Sequence, residues 1–157
     1  MQASVVEIAQ LLAAVGTFSA VGWFTNRRMN SRKEIRKALV SFNTMVDAIA
    51  GGDWAGIAHP EMTPEQLQQV QSGWGERRQR VAIHRKQVQD IIDTDRFSPG
   101  PRWCKDVEQC IRLGYELTHH IIGMNTLPGI DHEKWNREFE EKRETYQAAY
   151  RRLTGSA

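Results

Sequence analysis

His119 and His120 are the side chains whose chemistry stands out first, and metal binding is the chemistry they suggest. Adjacent residues on a helix point about 100° apart, so this pair cannot close on one ion as an i, i+4 pair does. His119 falls opposite the apolar stripe of its segment and His120 at the border of it. Glu116 and His120 do have i, i+4 spacing, but a zinc site takes three or four ligands at recognisable spacing. Asp131-His132-Glu133 reads as a helix start rather than a catalytic cluster, with Asp131 as the N-cap. Cys104 and Cys110 lack C-x-x-C spacing and point in different directions on a helix, which predicts two reduced thiols, as in a cytoplasm. The facing Glu-x-x-His pairs of a di-iron bundle are absent, as are the glycine patterns that cradle phosphates. The residues therefore predict no catalytic, cofactor-binding or metal site, no evident small-molecule substrate, and a protein that is not an enzyme.

The remaining chemistry is positive charge, and it comes in two clusters. Residues 26–37 hold Arg27, Arg28, Arg32, Lys33, Arg36 and Lys37 against one acid, while residues 38–157 carry fifteen basic and seventeen acidic residues. The second cluster, Arg77, Arg78, Arg80, Arg85 and Lys86, suits anionic lipid or nucleic acid in one reading. A solvated face paired with acids such as Glu76 or Asp90 accounts for it more simply, and nucleic acid is not the expected partner.

What positions the first cluster is the stretch before it, Ala3 to Phe24, which contains no Lys, Arg, Asp or Pro and only one acid, Glu7. Twenty-two residues at about 1.5 Å each reach ~33 Å as a helix, enough to cross the hydrocarbon core of a bilayer. On a helical projection Ile8, Leu11, Leu12, Val15, Phe18 and Trp23 form a bulky face. Ala9, Ala13, Gly16 and Ala20 lie opposite, with Gln10 and Thr17 beside them. Small residues at i, i+4 let helices approach closely in lipid, so these six are the predicted contact with a partner transmembrane helix, of this chain or another subunit. The basic cluster follows the apolar stretch and none precedes it. The positive-inside rule then puts the N-terminus outside and the rest in the cytoplasm, at the inner (cytoplasmic) membrane in a bacterial cell. Arg27, Arg28, Arg32, Lys33, Arg36 and Lys37 are assigned to lipid headgroups. No basic n-region precedes the apolar run, so it reads as a retained anchor rather than a cleaved signal peptide.

Beyond the anchor, apolar residues recur at helical spacing. Ile35, Leu39, Phe42, Val46 and Ile49 predict a helix over about 31–50, closed by Gly51-Gly52. No Pro or Gly separates this helix from the anchor, so the two can form one rod, bent or continuous. Residues 51–63, with Trp54 and His59-Pro60, read as a loop. Thr63-Pro64-Glu65-Gln66 is a capping box that opens a second helix, whose stripe is Leu67, Val70, Trp74, Val81, Val88 and Ile92. Gly73 and Gly75 are candidate interruptions of it. Phe97-Ser98-Pro99-Gly100-Pro101 is a break, and Pro101 opens a third helix with Trp103, Val107, Cys110, Gly114, Leu117 and Ile121 on one face. Gly114 within that stripe predicts a close neighbour, and Gly123 the helix end. After the turn Leu127-Pro128-Gly129, a fourth helix places Trp135, Phe139, Tyr146, Tyr150 and Leu153 on its stripe.

The expected fold is all-α, one N-terminal transmembrane helix followed by a small antiparallel bundle of about four helices. Its parts are an anchor over 1–25, a basic juxtamembrane segment over 26–37 and a cytoplasmic helical bundle over 31–154. The function this suggests is a single-pass scaffold or regulatory subunit, acting through protein–protein contacts in a larger membrane assembly. A membrane-active protein that oligomerises into a pore or lesion is one alternative. A soluble helical protein that binds nucleic acid, with residues 3–24 buried in a core, is the other.

Overall fold

The computed structural model describes residues 5–51, 61–126 and 131–155, and of residues 5–15, 18, 124–126 and 132 the backbone alone. Among the described residues there are four helices, α1 (Val5–Ala50), α2 (Pro64–Thr94), α3 (Pro101–Thr126) and α4 (His132–Thr154), and no strand. The protein is thus all-α, as its periodicity predicts. The anchor stretch and the first bundle helix are not two elements but one helix of 46 residues. Nothing between Phe24 and Ile35 breaks a helix. The polar side chains there serve it, with Thr25 Oγ1 donating to the Val21 carbonyl at 2.8 Å. Among the described residues no helix is long and apolar enough to cross a membrane. Most of the apolar residues of the predicted span lie outside the side chains described.

The ends of the helices follow their local chemistry. Thr63 Oγ1 accepts from Gln66 N at 3.3 Å while Gln66 Oε1 accepts from Thr63 N at 2.9 Å, the reciprocal pair that starts α2. Asp131 Oδ1 accepts from the backbone of Glu133 and Lys134, both at 3.1 Å, and starts α4. Gly155, at φ 72°, closes α4 in the left-handed conformation. Two predicted interruptions do not occur. Helix α2 runs through Gly73 and Gly75, and α3 passes Gly123 to reach Thr126. A glycine costs a helix only about 1 kcal/mol, which packing overrides. The predicted loop residues 52–60, with Trp54 and His59-Pro60, and the turn Leu127-Pro128-Gly129 lie outside the described residues.

The four helices run up, down, up, down. Arg27 meets Asp95 while Ile49 lines a cleft with Arg77, which sets α1 and α2 antiparallel. Helix α3 touches each of the other three and is the central element. Its buried face is correspondingly wide, so Cys104, Ile111 and Thr118 are covered beside the predicted stripe. Ile35, Leu39, Phe42, Val46 and Ile49 of α1 are buried as a single stripe, as are Trp74, Val81, Val88 and Ile92 of α2. Gly114 is where α1, α3 and α4 converge. A Cβ there would lie 2.7 Å from Phe42 Cε1 and 2.7 Å from Tyr146 Cε2, so the close approach needs glycine. The two rings meet edge to face, and the Tyr146 hydroxyl donates to Asn43 Oδ1 at 2.9 Å. Tyr150, assigned to the same stripe, is only half-buried, and Ala149 takes its place in the core.

Candidate membrane-proximal site

Three of the six basic residues after the anchor stretch are structural ties. Arg27 donates through Nε at 3.2 Å and Nη2 at 3.1 Å to Asp95 Oδ2, joining α1 to the turn after α2. Arg32 Nε donates to the Pro99 carbonyl at 2.9 Å, and its guanidinium lies 5.2 Å from the Trp103 ring centre. Arg36 Nε donates to the Leu153 carbonyl at 3.0 Å, reaching the C-terminal turn of α4. Helical periodicity explains the split. These residues flank the Ile35–Leu39 stripe, so their side chains reach sideways onto neighbouring helices. Lys33 and Lys37 point to solvent.

Arg28 and Arg32 converge on the turn that leads into α3. Gly100 there has φ 100°, and its missing side chain leaves room for Arg28 Nη2, 3.3 Å from where a Cβ would sit. Among the described residues neither arginine has a carboxylate within 4.0 Å. Burial, then repulsion from Arg28 and Arg36, lowers the pKa of Arg32. Together with Arg102, Trp103 and Asp106 they line an open cleft of about 540 Å³. The turn itself is braced by Ser98 N donating to Asp95 Oδ1 at 3.0 Å. Hydrogen bonds from Ser98, with Arg27 adding to them, hold the Asp95 carboxyl below its usual value.

One turn before Arg27, α1 has left the bundle. Val21, Trp23 and Phe24 are exposed, Trp23 and Phe24 in edge contact at 5.0 Å and Arg27 5.3 Å over the Trp23 ring. Gly16, Thr17 and Ala20 of the predicted small face are exposed too, and a Cβ at Gly16 would meet nothing within 4 Å. The side chains of Ala9, Gln10 and Ala13 lie outside those described.

The other candidates resolve into packing. Arg77 lies over Trp74 at 4.6 Å, Arg85 over Tyr115 at 4.7 Å, and Lys86 pairs with Asp90 at 2.8 Å, so three of the five residues in the α2 basic run are tied to their own surroundings. His120 stacks on Trp135 with ring centres 5.0 Å apart, and the Trp135 indole donates to the His120 carbonyl at 3.2 Å. His119 packs its edge on Tyr115, and burial, followed by Arg78, lowers its pKa. Among the described residues no three His, Cys, Asp or Glu side chains gather as a metal site would require. Cys104 and Cys110 are free and buried. The residue that sequence reasoning passed over is Phe97, 87 % exposed at the tip of the α2–α3 turn. Counting helices up and down would have put that turn at the end where α1 leaves the bundle. Comparison with protein-family models, curated proteins and solved structures finds no match.

Proposed function

We propose that this chain is a single-pass, membrane-anchored helical module, a scaffold or regulatory subunit acting through protein–protein contacts in a larger membrane assembly. Residues 1–25 are the anchor, 26–37 the basic juxtamembrane segment, and 31–154 a cytoplasmic bundle. The observation that carries the reading is that α1 leaves the bundle before Arg27, with Gly16, Thr17 and residues 19–24 exposed. Val21, Trp23 and Phe24 are left exposed, where a bundle helix would bury them. A Trp-Phe pair followed within one turn by two arginines is the pattern of a helix crossing from lipid to headgroups. A reporter active only in the cytoplasm should work when fused after Ala157, and gentle-detergent purification should bring membrane partners with the tagged chain. Activity of a periplasm-only reporter at that position would reverse the topology.

In this reading Ala9, Ala13, Gly16 and Ala20, with Gln10 and Thr17 alongside, take the partner helix. Gly16→Ile adds bulk without reducing hydrophobicity, so insertion should persist while crosslinking to the partner helix weakens. Val15→Ile on the opposite face should change neither. Equal crosslinking of both variants would reduce the segment to a tether.

A further inference from the structure

We infer that the stalk-side end of the bundle is itself a membrane contact. The cleft of Arg28, Arg32 and Arg102 takes the phosphate of an anionic phospholipid while Phe97 enters the interface beside it. This rests on the reading of α1 as the anchor, and it adds that the bundle is seated on the bilayer rather than tethered below it.

Three observations meet at that end. The Arg27–Asp95 pair sets the 95–98 turn level with the point where α1 leaves the bundle. Trp23 lies only one turn, ~6 Å, farther along α1. Phe97, two residues from Asp95, therefore stands at the same end of the bundle as the exposed Trp23 and Phe24, and it is the most exposed large apolar side chain among those described. Aromatic rings exposed at one end of the bundle beside arginines fit a lipid interface, where apolar and cationic groups are satisfied together.

The cleft supplies the charge. Three arginines and one acid, Asp106, line it, and Arg28 and Arg32 lack carboxylate partners among the described residues. Arg32 is already oriented by the Pro99 carbonyl and the Trp103 ring, so its remaining donors are free to serve a phosphate oxygen. The cleft also opens on the N-terminal turn of α3, whose dipole favours an anion at that place. Gly100 keeps the approach clear.

The test uses the full chain in vesicles, with Phe97→Cys carrying a polarity-sensitive fluorophore and Cys104 and Cys110 left buried. Glu61→Cys, at the far end of the bundle, is the control. In phosphatidylcholine vesicles with about 30 % phosphatidylglycerol, the label at 97 should shift to the blue and be quenched by lipid-borne nitroxide. The label at 61 should do neither. Arg28→Gln should lower the docked-to-undocked ratio at 97 about fivefold, the worth of one basic residue at an anionic surface. Flotation of the vesicles reads the anchor separately. Chain that floats with the label at 97 unquenched would overturn the seat and leave the anchor standing. Equal quenching with and without phosphatidylglycerol would overturn the anionic headgroup as its ligand. Flotation with anionic vesicles alone, with the label quenched, would support the seat and remove the anchor.

Discussion

Replacing Trp135 by Ala should lower the stability of the bundle by about 3–5 kcal/mol. Trp135 is buried and lies in a column of rings, with His120 on one side at 5.0 Å and Phe139 on the other at 5.1 Å. The backbone joins the same contact, since His120 Nε2 lies 3.3 Å from the Trp135 carbonyl. Alanine removes the largest ring of the α3–α4 interface and leaves the His120 carbonyl without its indole donor. Urea unfolding of residues 31–157, followed by circular dichroism, reads the loss as an earlier midpoint with an unchanged slope. A midpoint equal to that of the parent would take α4 out of the core.

Raising the pH above 9 should destabilise the bundle steeply. Burial, opposed only by Arg152, pushes the Cys110 thiol from 9.0 up to about 12. Burial also raises Tyr146 from 10.0, in the same core. Both groups are neutral when protonated, and the unfolded chain gives up these protons first. Above pH 9 the unfolded state therefore binds fewer protons than the folded one, and stability falls as the pH rises. For Cys110 the window runs from 9.0 to about 12, and the slope is at most about 1.4 kcal/mol per pH unit. Cys110→Ala should be less stable at pH 7 because of the cavity it leaves, yet lose less between pH 9 and 12. Equal losses in parent and variant over that window would acquit the thiol.

The core was legible because each helix shows one apolar stripe at its own period. Ile35 to Ile49 and Val81 to Ile92 could be read without knowing what lay opposite. The capping box at Thr63, the cap at Asp131 and the close approach at Gly114 were legible too, being local chemistry. Cys104, Ile111 and Thr118 were not, because a helix with three neighbours buries more than a stripe, and the number of neighbours is not written in its own residues. For the same reason the ties made by Arg27, Arg32 and Arg36 were not legible, since their acceptors Asp95, Pro99 and Leu153 lie 67 to 117 residues away. Phe97 gave no periodic signal from within a turn. Its meaning comes only from the end of the bundle on which the turn sits.

Whether α1 anchors the bundle is most directly read by extracting native membranes with carbonate at about pH 11, where lysines lose their charge and the bundle itself is destabilised. Surface attachment through Arg28, Phe97 or a partner protein should not survive that treatment. A helix inserted over residues 3–24 should, because water offers its apolar face nothing in exchange. The full chain should stay in the membrane pellet, and a chain lacking residues 1–24 should leave it. Release of the full chain into the supernatant, to the same extent as the shortened one, would contradict the anchor.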